Sequence, residues 1–92
     1  MSLRFEWNDK KARLNIRKHG IAFEEASTVF GDPLSITIPD TVHSIDEDRF
    51  ISIGTSVNDK LLVVVYTDYN DIVRLISARK ATGNEKKQYE NG

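Results

Sequence analysis

Residues 61–66 read LLVVVY, a run of apolar and mostly β-branched residues with no polar interruption. A strand that is apolar at both alternating positions has no face to give to water, so it belongs in the middle of a sheet. This run fixes the rest of the architecture, because neighbouring segments must supply the strands and helices that bury it. Residues 72–78 (IVRLISA) repeat the pattern with one interruption, Arg74. Arg49 to Thr55 (RFISIGT) reads as a further strand, and Leu34, Ile36 and Ile38 alternate with Ser35 and Thr37 as a half-buried one. Pro33 and Pro39 bracket that last strand and place it at an edge. Asn58-Asp59 and Tyr69-Asn70-Asp71 supply the turns between strands.

The front of the chain has a different period. Residues 4–7 (RFEW) suit a short first strand. Asn8 or Asp9 then caps a helix that runs to about His19, with Ala12 and Ile16 as its inward stripe. Gly20 suits a left-handed residue just past that helix, with Ile21 packing back over its end. A second helix is expected from about Phe23 to Phe30, with Phe23, Ala26 and Phe30 facing inward. A short final helix is expected over Thr82 to Glu90, with Thr82 or Gly83 near its cap. Strand, two helices, four strands joined by short turns, then a helix is an α+β order: an antiparallel meander with helices on one face, in two layers. Ninety-two residues without repeat or linker are read as a single domain, 1–92.

Composition excludes several classes. With no cysteine there is no disulfide framework, thiol nucleophile or cysteine zinc site, which suits a reducing compartment such as the cytoplasm. No apolar run reaches membrane-span length, and MSLRFEWNDKK lacks the hydrophobic stretch of a signal peptide. The net charge of −1 conceals segregation. Residues 1–20 sum to +4, residues 21–71 to −8 and residues 72–92 to +3. Sorted charge of this kind either forms opposite faces or is simply solvated.

The chemistry-bearing residues concentrate near the end of the chain. Arg74 interrupts an apolar strand and needs a carboxylate, carbonyls or a ligand phosphate. Arg79 and Lys80 stand where that strand opens to solvent, and an arginine fork suits a phosphodiester. Strand parity puts Arg74 and Arg79 on opposite faces unless the strand twists, bulges or ends between them. Both also read as ordinary snorkelling or solubilising charge. Lys60 and Arg49 begin two adjacent strands and read most simply as surface cations. Tyr66 reads as a half-buried packing residue with a solvated hydroxyl, and Tyr89 as a phenol that can donate or stack on a base. His19 suits the last helical turn. His43 lies among Asp40, Asp46, Glu47 and Asp48 in an acidic loop, 39–48, that matches no metal-binding motif. No metal and no cofactor is expected.

The same residues carry a resemblance. FEWNDKKARLNIRKHGIAFEEASTVFGDP, then RFISIGTS, LLVVVYTD and IVRLISARKATGNEKKQYENG resemble, in order and spacing, the BrnT toxins, a branch of the RelE-like ribonucleases. The resemblance implies a RelE-like α+β fold and a cytoplasmic endoribonuclease that lowers translation by metal-independent cleavage through the ribose 2′-hydroxyl. It implies a cognate antitoxin with a ribbon-helix-helix DNA-binding part, operator DNA being met only through that partner. Arg79 and Arg74 then correspond to active-centre cations that neutralise the phosphorane, and Glu85, Tyr89 or Lys60 to proton-handling groups. Lys80, Arg49, Lys86 and Lys87 are the expected RNA-binding cations. A non-catalytic module, or a degenerate toxin that scaffolds a DNA-binding antitoxin, is the competing expectation.

Overall fold

The computed structural model describes residues 3–41 and 48–92. Strand β1 (Arg4–Glu6) leads into helix α1 (Asp9–His19), helix α2 (Phe23–Ser27) and a 3₁₀ turn (Thr28–Gly31). Strands β2 (Ile36–Pro39), β3 (Arg49–Thr55), β4 (Leu61–Tyr69) and β5 (Ile72–Lys80) follow, and helix α3 (Gly83–Asn91) comes last. The five strands form one sheet in the order β1-β5-β4-β3-β2, so the LLVVVY strand takes the central place. Strands β2 to β5 are an antiparallel meander, as expected, but β1 pairs parallel to β5 and closes the other edge.

Local chemistry explains most of the boundaries. Asn8 Oδ1 accepts the Lys11 amide at 3.1 Å and starts α1. Gly20 ends it in the left-handed region at φ 71°. The β4–β5 turn puts Asn70 and Asp71 at φ 50° and 65°, the primed geometry that matches strand twist. The expected second helix is instead a five-residue helix followed by a 3₁₀ turn, with the Thr28 and Ser27 hydroxyls bonded back to the Glu25 and Glu24 carbonyls. Leu34 is not in a strand: it is 70% exposed, and Asp32 holds its amide in a turn before β2 begins.

The core lies between the sheet and α1, α2 and the 3₁₀ turn. Ile21, Phe23, Ala26 and Val29 pack against Leu62, Val64, Tyr66, Val73, Leu75 and Ala78, with Phe5, Trp7, Phe30 and Phe50 around the margin. Tyr66 is buried rather than half-buried, and its hydroxyl accepts from Ser52 Oγ at 3.1 Å. Gly54 is needed here, since a Cβ would stand 2.8 Å from Val29 Cγ1.

Helix α1 uses its expected stripe only at Ala12, which packs against the core. Ile16 is 50% exposed and Asn15 is the buried residue. The reason is the short β1, which pairs only with residues 72–74 of β5. Beyond that point the Asn15 amide takes the place of the missing strand. Its Oδ1 accepts the Ala78 N–H at 3.0 Å, and its Nδ2 donates to the Ala78 and Ile21 carbonyls, both at 2.8 Å.

Candidate functional site

The β4–β5 ladder slips between Val65–Ser77 and Tyr66–Leu75, leaving Ile76 as an extra residue. This β-bulge resets strand parity. Leu75 and Ala78 both face α1 and α2, while Arg74 and Arg79 both face the opposite side of the sheet. The two arginines nevertheless remain apart: their partners on β4, Thr67 and Val63, are four residues distant, about 13 Å along a strand.

Arg79 sits at the end where α3 folds over. Its Nη1 and Nη2 donate to Glu85 Oε1 and Oε2, each at 2.7 Å, in a two-pronged pair. Nη1 also reaches the Lys80 carbonyl at 3.2 Å. Glu85 is the third residue of α3, and its Oε1 accepts the Thr82 amide while Thr82 Oγ1 accepts the Glu85 amide. This capping box makes one carboxylate both the start of the helix and the clamp on the arginine. Four residues on, Tyr89 shares the same face of α3. Its hydroxyl donates to Asp32 Oδ2 at 2.6 Å and accepts from Thr55 Oγ1 at 3.2 Å. Asp32 is fully engaged, also accepting the Thr55 and Leu34 amides. An open depression of about 370 Å³, lined by Thr28, Gly31, Asp32, Thr55, Ser56 and Val57, lies beside this group.

The electrostatics follow from those bonds. The Arg79 hydrogen bonds hold the Glu85 carboxyl down at about 2, against burial that opposes them, and the same pair raises Arg79. Burial pushes Asp32 upward, but the hydrogen bonds from Tyr89, Thr55 and Leu34 outweigh it and leave it below the usual carboxylate range. Donation to Asp32 raises the Tyr89 phenol. Helix α3 has no buried residue, so these polar contacts carry much of its attachment. Because Glu85 and Asp32 are depressed in the folded state, their contribution is present above the ordinary carboxylate range and is lost as pH falls towards 2. We expect α3 amide resonances to move to coil positions between pH 4.5 and 2, ahead of the sheet. The free energy is about 1 kcal/mol after screening. An α3 unaffected at pH 2 would contradict this.

The other sequence-predicted residues stand elsewhere. Arg74 pairs with Glu6 at 4.0 Å on the exposed β1 side. Arg49 lies in the same transverse row, across Thr67 from Arg74. Lys60 is at the Arg79 end of the sheet, 4.0 Å from Glu25, which also accepts from Ser56 Oγ. Lys80, Lys86 and Lys87 are exposed around α3. His19 is exposed at the end of α1, while His43, Asp46 and Glu47 lie outside the described residues. Among the described residues no cluster of three or more His, Asp or Glu side chains is placed to hold a metal, and no helix is long and apolar enough to cross a membrane. Asp32, Thr55, Glu25 and Ser56 were not singled out from sequence. The GDP turn after the 3₁₀ segment was the only available signal, and it reads as an ordinary helix stop.

Fold and site together define a small α+β protein whose last helix pins an arginine at the end of a five-stranded sheet. Residues 7–85 match the family described as the ribonuclease toxin BrnT of type II toxin–antitoxin systems, and the chain belongs to that family. Among solved structures, the Brucella abortus ribonuclease toxin BrnT has the same fold, with a TM-score of 0.68 and 21% identity over 88% of this chain and 99% of that one. No curated protein sequence matches.

Proposed function

We propose that this chain cleaves RNA at the Arg79 end of the sheet: a ribose 2′-oxygen, giving up its proton, bonds to the adjacent phosphorus while the bond from phosphorus to the 5′-oxygen breaks and that oxygen takes a proton. The observation that carries the reading is the two-pronged Arg79–Glu85 clamp at a half-open strand end, in a chain of a ribonuclease toxin family. The Arg79 side chain is 40% exposed, and a guanidinium fixed on one edge presents its remaining N–H groups to an incoming phosphate in a set direction. Such donors stabilise the phosphorane charge where it develops. Glu85 is an orienting carboxylate here, since a group held at about 2 is a weak base. Proton transfer falls to Tyr89, which links Thr55 to the ionised Asp32, and to Lys60 at the same end. Arg74 and Arg49, in a row about 13 Å further along the strands, fit contacts to more distant phosphates.

The attacking oxygen belongs to the substrate, so the reaction as proposed needs no metal, and cleavage by purified protein should persist in excess chelator. Strict dependence on an added divalent ion would refute it. The protein is further proposed to act in the cytoplasm, to lower translation, and to be neutralised by a ribbon-helix-helix antitoxin that brings it to operator DNA. One observation favours a non-catalytic role instead: Glu85 already occupies two prongs of Arg79. Growth arrest on expression alone, relieved by the antitoxin, separates the readings.

A further inference from the structure

Helix α1 carries five cations, Lys10, Lys11, Arg13, Arg17 and Lys18, all exposed. With Ala12 and Asn15 facing the body, the helical repeat puts these five on one outer arc of roughly 160°, in the order Arg13, Arg17, Lys10, Lys18, Lys11. Leu14, 39% exposed, is the one apolar residue on the arc, and Asp9, the only carboxylate of the helix, falls outside it. No ion pair engages any of the five among the described residues, although this chain has net charge −1.

Two of these cations work against the helix. Lys10 and Lys11 stand in its first turn, where the macrodipole disfavours positive charge. The arc is also fixed relative to Arg79, because Asn15 is bonded to both backbone groups of Ala78, the neighbouring residue. Between helix and strand runs a groove of about 230 Å³ that Lys11, Leu14, Lys18, Ile76 and Ser77 help to line.

We propose that the outer face of α1 is a track for single-stranded RNA, leading around the β5 edge to Arg79 on the other face of the sheet; this rests on the nuclease reading of that residue. Spaced cations follow a phosphodiester backbone, and the groove offers Leu14 and Ile76 to a ribose or base. An acidic protein partner is the weaker fit, because three of the five cations are lysines, a residue depleted from protein–protein interfaces.

The test is the triple variant K10Q/R13Q/R17Q, which alters the residues farthest from the body and keeps good helix formers. Binding of a single-stranded oligonucleotide is measured against salt, and cleavage is measured on a dinucleotide and on a long RNA. Affinity at low salt should fall about tenfold or more, and the salt slope should shrink by about 0.7 for each cation engaged. The dinucleotide rate should be unchanged, while KM rises for the long RNA. Lys10→Gln alone should hold or raise the melting temperature while weakening binding, an outcome that a purely structural lysine does not give. An unchanged slope overturns the track, as does loss of antitoxin capture with RNA binding intact. Failure of the unaltered protein to cleave either RNA would instead count against the nuclease reading and leave the binding measurement decisive for the track.

Discussion

Arg79→Ala is expected to lower RNA cleavage by about 10²–10³-fold while the sheet remains folded, the effect typical of removing one preorganised donor from a developing charge. The residue lies at a strand end and its side chain is 40% exposed, so its stability contribution is the screened pair with Glu85, about 1 kcal/mol. Arg79→Lys should rescue little. An ammonium offers one point of charge, cannot meet both Glu85 oxygens in parallel, and leaves the carboxylate less firmly oriented. Glu85→Gln should fall between the two, since the amide keeps one acceptor. Single-turnover rates on a defined RNA decide the matter, with circular dichroism as the control for folding. An Arg79→Ala protein as active as the parent would remove this residue from the chemistry.

Asn15→Ala is expected to be the most destabilising polar substitution among the described residues. Three buried hydrogen bonds are lost together, and the Ala78 N–H and the Ala78 and Ile21 carbonyls lose their side-chain partner. At about 1–3 kcal/mol for each buried group left unsatisfied, a total of about 3–5 kcal/mol is reasonable. That is a large share of the 5–15 kcal/mol by which such domains are stable. The melting temperature should drop by about 15 °C or more. Asn15→Asp is an informative companion: it retains the acceptor for Ala78 N–H but turns a carboxylate towards two carbonyls, so it should be at least as harmful. A melting temperature within a few degrees of the parent in both variants would show that the sheet edge closes in another way.

What was legible in the sequence follows from these particulars. The LLVVVY strand, the meander around it, the Asn8 cap and the Gly20 stop were all written locally, in period and cap chemistry. The parallel pairing of β1 was not, because nothing in a three-residue strand states which distant strand it will join. Asn15 was missed for the same reason: its role exists only once β1 ends short of Ala78, and the helical pattern pointed to Ile16 instead. At the site, Glu85 and Tyr89 stood out on resemblance, and their i, i+4 spacing places them together on α3. Asp32 needed the tertiary fold, since it meets Tyr89 only across the chain. Parity correctly set a condition on Arg74 and Arg79, and the extra residue at Ile76 meets half of it, giving a shared face without a shared location.

The pairing of β1 with β5 also bears on how the protein is made. Residues 4–6 have no sheet partner until residues 72–74 exist, and a contact of that span closes slowly because so much chain entropy is spent before it forms. The Arg79 clamp comes later still, as it awaits residues 85 and 89. Until those later residues are free to fold, the sheet stays unsealed and the guanidinium unclamped.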